Sequence, residues 1–91
     1  MNRFTFVLML AATSASAGEV LDSYLPHMRS LADWQQINWA DQHAIAKEVA
    51  TTLEHQLDFN VCMDMSSEDI RFKNMPFGEG LRECLKASEP K

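Results

Sequence analysis

The sequence predicts an all-α fold, a small three-helix domain that carries one disulfide and follows a cleaved signal peptide. Three observations favour this fold. Apolar residues recur at spacings of three and four, which is the period of one helical face. Runs that alternate apolar and polar β-branched residues, typical of strands, are absent. The 91-residue chain has two cysteines and begins like an exported protein, and export allows a disulfide to form.

The predicted signal peptide occupies residues 1–17. Arg3 precedes a short apolar run, and the segment ends in small residues, so we expect cleavage between Ala17 and Gly18. The apolar run is too short for a membrane-spanning helix, which needs about 20 apolar residues. We therefore expect an extracytoplasmic protein, periplasmic or secreted, that keeps no stable membrane anchor after cleavage.

Residues 18–91 are predicted to form a single small helical domain. Its first helix is expected over residues 19–33, where apolar residues repeat on one face. Pro26 fits the first turn of a helix if Ser23 is the cap, because no amide proton is needed there. Otherwise the helix is kinked at Pro26.

The second helix is predicted to begin at Trp39, after Asn38 as its N-cap. Its apolar stripe, which the first helix would cover, consists of Ile45, Val49, Leu53 and Leu57, with Ala46 and Ala50. At about 100° per residue, Phe59 and Cys62 project roughly 150° away from this stripe. Either the helix ends or distorts near Asn60, or it is covered on two sides. The two-sided arrangement is favoured, and it makes this helix the spine of the domain.

The third helix is predicted from Pro76 to Ala87. Its apolar face consists of Phe77, Leu81, Cys84 and Leu85. Before it, Ser66 with Asp69 is expected to cap a short turn. Residues 88–91 are expected to form a frayed tail.

Cys62 and Cys84 are predicted to form the disulfide. A single pair in an exported chain leaves no ambiguity of connectivity within the chain. Closing a loop of 22 residues stabilises a domain by about 3 kcal/mol in the chain-entropy model. The alternative, a thiol–disulfide catalyst, is disfavoured because redox cysteines are usually two residues apart. Glu83 and Asp64 also lie near the two cysteines, and both would disfavour a thiolate.

The charge composition argues against nucleic acid as a partner. The chain has a formal net charge of −5, and residues 18–91 are one unit more negative because Arg3 lies in the leader. Charges of both signs are interspersed and no basic run exists, whereas nucleic acid or anionic lipid requires a positive patch. The acidity favours solubility and is also compatible with a basic partner.

Trp34 and Trp39 flank a polar turn between the first two helices. If exposed, two indoles on a loop form a possible partner contact, because Trp is enriched at interfacial hot spots. The favoured interpretation is that both fold back onto the two-helix core.

Met63 and Met65, with Met75 further along the chain, raise the possibility of a Cu(I) site, because Cu(I) prefers sulfur ligands. Core packing is the better interpretation, because Met fills irregular gaps and Cys62 is expected to be oxidised. The three histidines lack the spacing of a metal site. We therefore expect no metal and no cofactor.

The sequence contains no constellation typical of an enzyme. None of its serines lies in a Gly-x-Ser-x-Gly turn. The carboxylate of Glu79, between Gly78 and Gly80, would repel a bound phosphate. We expect a small exported protein that binds another protein and has no catalytic residues. Two alternatives are an acid- or stress-type holdase chaperone and a periplasmic Cu(I) carrier.

Overall fold

The computed structural model of the protein describes residues 18–89. The predicted signal peptide, residues 1–17, lies outside them, as do the last two residues of the predicted frayed tail. The described residues are mostly helical and form no strand, which confirms the all-α class. No helix among them is both long and apolar enough to span a bilayer.

Four α-helices and two 3-10 turns make up the described chain. The helices are α1 (Glu19–Tyr24), α2 (Trp39–Val49), α3 (Leu53–Glu68) and α4 (Phe77–Ala87). The 3-10 turns are Leu25–His27 and Leu31–Gln36, and both lie between α1 and α2. Helix α3 packs against α2, α4 and the second 3-10 turn, while α1 packs against α2.

The first helix predicted over residues 19–33 is not one α-helix, because the chain leaves the α-helix before Pro26, the position of the predicted kink. Residues Leu25–His27 form a 3-10 turn with the proline near its start, and Met28 is extended. Proline has no amide proton and its ring clashes with the preceding turn of an α-helix. The chain turns again at Ser30, where the Asp33 carboxylate accepts from the Ser30 amide in a capping box.

The predicted second helix is divided in two at residues 50–52. Its start is confirmed, since the Asn38 side chain accepts from the Asp41 amide at 2.8 Å. The break follows from Thr52, whose hydroxyl accepts from the amide of His55 and caps a new helix. A β-branched threonine favours this cap over the helix interior.

The break changes which residues of α3 face the core. Leu53 and Leu57, predicted to extend the buried stripe, are exposed, whereas Phe59 and Met63 are fully buried. The prediction of one stripe covered by the first helix is therefore wrong for its second half. Cys62 points away from the apolar stripe of α2 because α2 and α3 are separate helices with independent orientations.

The core lies between α2, α3, α4 and the second 3-10 turn. Its largest fully buried side chains are Trp34, Phe59, Phe77, Leu31, Ile45 and Met63. Trp34 meets Phe59 edge to face at a centroid distance of 6.1 Å, an arrangement that aromatic pairs prefer. Gly80 lies against Leu31 so closely that a Cβ on it would be 2.6 Å from a leucine methyl.

A disulfide joins α3 to α4, as predicted. Cys62 and Cys84 are bonded, with their Cα atoms 5.6 Å apart. The predicted turn capped by Ser66 is wrong, because α3 continues to Glu68 and the following turn is organised by Asp69. Ser88, placed by the sequence in the frayed tail, is buried and donates to the Leu85 carbonyl.

Candidate functional site

The two tryptophans do not form a joint surface. Trp34 is fully buried, and its indole N–H donates to the Asp64 carboxylate at 2.8 Å. Trp39 is 72% exposed at the start of α2, with its ring 4.6 Å from that of His43. Only Trp39 is therefore available to a partner, and the interpretation that both indoles fold back holds for Trp34 alone.

The two methionines considered for Cu(I) face different environments. Met63 is fully buried in the core, whereas Met65 is exposed. Residues two apart on a helix point about 200° apart, so the two thioethers do not share one site. Met75 is half-buried in the connection before α4. Among residues 18–89, no group of three or more His, Cys, Asp or Glu side chains is placed to hold a metal ion either.

Helix α3 divides into a covered half and an exposed half of equal size. Eight of its residues are buried or partly buried, and they form the side that meets the core. We call the exposed half the α3 face. It consists of Leu53, Glu54, Leu57, Asp58, Val61, Asp64, Met65 and Glu68. At about 100° per residue these eight positions fall within one arc of about 140°. Half of the face is apolar and the other half is carboxylate.

The apolar residues of the α3 face form one row. Leu53, Leu57, Val61 and Met65 are spaced by four, so each lies one turn above the last. Their exposed fractions are 70%, 51%, 54% and 67%. At 1.5 Å per residue the row is about 18 Å long. Single exposed apolar residues are common, but a contiguous apolar patch indicates a contact surface.

The carboxylates of the α3 face flank this row on both sides. Glu54 and Asp58 lie on one side near the start of the helix, and Asp64 and Glu68 lie on the other side near its end. Helix α3 contains no Lys or Arg. Within residues 18–89 none of the four forms an ion pair. The face therefore combines an apolar row with unneutralised negative charge.

The shifted pKa values in the described chain belong to groups in the turns and caps that connect the helices. Hydrogen bonds and the positive charge of Arg71 lower the pKa of Asp69 to about 2. Backbone amides at residues 29 and 30 lower the pKa of Asp33. A hydrogen bond to Asp41 raises the pKa of the Tyr24 hydroxyl, which donates to that carboxylate. These groups hold the connections between helices in place.

A cleft of about 300 Å³ lies beside the disulfide, between α3 and α4. Its lining is mainly apolar and includes Leu31, Phe72 and Met75 together with the two half-cystines. Glu79 and Glu83, which are neighbours on α4, also line it. The cleft could accommodate an apolar side chain. It is separate from the row on α3, because it lies on the side of that helix where Cys62 and Ser66 project.

The α3 face was not identified from the sequence. The spacing of Leu53 and Leu57 continues the four-residue period of Ile45 and Val49, so the sequence pattern predicts one buried stripe of all four residues. Thr52 could have indicated that a new helix begins after residue 52, because threonine is a preferred N-cap residue. A helix that restarts there has apolar residues on opposite sides, Phe59 and Met63 on one and the row on the other.

No protein-family model, curated protein or solved structure matches this chain significantly.

Proposed function

We propose that this protein is a small extracytoplasmic, non-enzymatic protein-binding module whose contact surface is the α3 face. The observation that supports the proposal is the exposed row of Leu53, Leu57, Val61 and Met65. A helix that keeps four large apolar side chains in water on one side has a surface that another protein can cover. The predicted leader supports the extracytoplasmic location.

The spacing of the row favours a helical segment as the partner. Side chains four residues apart form ridges on a helix surface, and ridges of this kind interdigitate in the commonest class of helix packing. Amphipathic helices likewise recognise grooves through anchors at spacings of three, four and seven residues. The proposed occupant is therefore a helix of another protein that presents its own apolar row.

The energy available from the row is moderate. Full burial of a Leu, Val or Met side chain stabilises by about 1.5–3 kcal/mol, and between 51% and 70% of each side chain of the row is exposed. Covering the row would thus contribute about 1–2 kcal/mol per residue, or about 4–7 kcal/mol in all. Association costs at least about 4 kcal/mol in lost freedom. Contacts beside the row must therefore supply most of the net affinity.

The holdase chaperone is the alternative with some structural support, because exposed apolar side chains could hold an unfolded client. The fixed positions of the residues in the row favour a specific partner instead. Its residues lie on a helix anchored by a disulfide and a core, whereas an acid-activated holdase relies on loosening of its structure to uncover apolar surface. The Cu(I) carrier is not proposed, since Met63 is buried apart from Met65.

Site-specific photo-crosslinking tests the proposal. Val61 is replaced by a benzophenone amino acid in one version of the protein, and exposed Lys86 of α4 is replaced in the control version. Both are produced in the source cell, and the crosslinked peptides are identified by mass spectrometry. We expect position 61 to capture one helical segment with an apolar row, and position 86 not to capture it.

The same experiment separates the alternatives. The adduct should disappear when Leu57→Ser is added, because that change interrupts the row next to position 61. Many unrelated adducts with unstructured segments would favour the holdase. Equal capture at both positions would contradict a contact surface on α3.

A further inference from the structure

We propose that the helix that docks on the α3 face is a basic amphipathic helix, with Lys or Arg on both sides of its apolar row. This inference rests on the proposed function and specifies the chemistry of the partner. The observation behind it is that all four charged residues of the α3 face are carboxylates, without a cation on the same helix.

The carboxylates are free to meet a partner. Glu54, Asp58 and Glu68 accept no hydrogen bond from another side chain in the described part of the chain and are exposed. Asp64 uses one oxygen for the Trp34 indole and is exposed as well. The single ion pair found within residues 18–89, between Arg71 and Asp69, lies beyond the end of α3. A partner helix therefore meets four carboxylates that no Lys or Arg of residues 18–89 pairs with.

The positions of the carboxylates define where the cations of the partner belong. The apolar row is inclined by about 26° to the helix axis, so it runs along one diagonal of the face. Glu54 and Asp58 occupy one of the remaining corners, and Asp64 and Glu68 occupy the opposite one. A helix laid along the row therefore has carboxylates on one flank near one end and on its other flank near the other end. A partner helix with cations on only one flank would leave half of the carboxylates unpaired.

A second copy of the chain does not fit the α3 face. Two copies would bring eight carboxylates together around one apolar contact, and neither α3 helix contains a Lys or Arg to offset them. Like charges at neighbouring positions destabilise an interface, and the chain as a whole is already acidic. The protein is therefore expected to remain monomeric through this surface and to select a partner of opposite charge.

Three synthetic helical peptides test the inference. They share a Leu row with a spacing of four and differ only in the residues on both flanks, which are Lys, Gln or Glu. Each labelled peptide is titrated with the purified full chain, and binding is followed by fluorescence anisotropy. An exposed ion pair contributes about a 1.5- to 5-fold gain in affinity. With four carboxylates on the face, we expect the Lys peptide to bind at least about fivefold more tightly than the Gln peptide, and the Glu peptide to bind most weakly.

Salt and substitutions provide the controls. The preference for Lys should shrink several-fold between low salt and about 0.5 M NaCl, because exposed charges are screened. The double variant Glu54→Gln with Glu68→Gln keeps two of the four carboxylates, so the preference for Lys should fall to about the square root of its original value while the affinity for the Gln peptide is retained. The variant Leu57→Ser with Val61→Ser should lose binding of all three peptides, with circular dichroism confirming that it remains folded.

The possible outcomes distinguish the two proposals. Equal affinity for the Lys, Gln and Glu peptides would overturn the basic partner and leave docking on the row intact. Absence of binding by all three at millimolar concentration would overturn the proposed function itself. A dimer of the chain in sedimentation that is lost in the Leu57→Ser, Val61→Ser variant would identify a second copy as the occupant and overturn the inference.

Discussion

Leu57 and Met63 lie six residues apart on the same helix, and their replacement by alanine is expected to change stability by very different amounts. Met63 is fully buried in the core. Met63→Ala removes buried surface and leaves a cavity, so the free energy of unfolding should fall by about 2–5 kcal/mol. Leu57 is half-exposed. Leu57→Ala should change the free energy of unfolding by no more than about 0.5 kcal/mol, because Ala is at least as favourable as Leu in a helix.

Urea denaturation followed by far-UV circular dichroism measures both values. The core of a domain of this size contributes only about 3–5 kcal/mol to stability. The Met63→Ala variant should therefore begin to unfold at very low urea concentrations. Leu53→Ala is a second control on the exposed row and should behave like Leu57→Ala. A loss of 2 kcal/mol or more for Leu57→Ala would place that side chain in the core and would refute the exposed row.

Three further predictions concern the packing of α4, the disulfide and one carboxyl group. Gly80→Ala places a Cβ 2.6 Å from a buried leucine, whereas the nearest atom to a Cβ at Gly78 is 3.9 Å away. Both gain helix propensity, so in urea denaturation Gly80→Ala should be less stable than Gly78→Ala by about 1–3 kcal/mol. Replacing Cys62 and Cys84 together by serine should lower the free energy of unfolding by about 3 kcal/mol. In an NMR pH titration, Asp69 should show a pKa of about 2. Since this pKa lies below its ordinary value of 3.8, the stability that Asp69 contributes is present above pH 3.8 and is lost as the pH falls towards 2.

Each of these predictions has an opposite outcome. Equal stability of the two glycine variants would mean that α4 does not approach the second 3-10 turn as closely as described. A cysteine-free variant as stable as the parent would show that the core holds the domain without the disulfide. An ordinary pKa for Asp69 would show that its pairing with Arg71 does not persist in solution.

The sequence was sufficient to predict features that depend on neighbouring residues or on the number of cysteines. The all-α class follows from apolar spacing, and the disulfide follows from a single pair of cysteines. The N-cap at Asn38 depends on residues within one turn and was predicted correctly. These features require no knowledge of which helix packs on which.

The boundaries between helices were harder to predict because two local preferences compete there. The apolar period runs unbroken from Ile45 to Leu57, so periodicity alone predicts one helix. The Thr52 cap ends that helix and starts the next. A similar competition at Pro26 divided the first predicted helix. In both places a short-range interaction outweighs the apolar pattern.

The exposure of the candidate contact residues could not be predicted because it depends on distant partners. Trp34 is buried against Phe59, and its indole donates to Asp64, which lies 30 residues further along the chain. An apolar row spaced by four has the same appearance in a sequence whether a core or a partner covers it. Only the position of Phe59 and Met63 on the opposite side of α3 identifies the row as the exposed one.

Methyl NMR of the protein with the Lys-flanked peptide is the most direct test of docking on α3. On saturation with peptide, the account predicts chemical-shift changes and intermolecular NOEs at the methyl groups of Leu53, Leu57, Val61 and Met65, while the methyl of buried Met63 is little affected. Changes centred on Leu31 and Met75 in the cleft beside the disulfide, with the row unaffected, would contradict it.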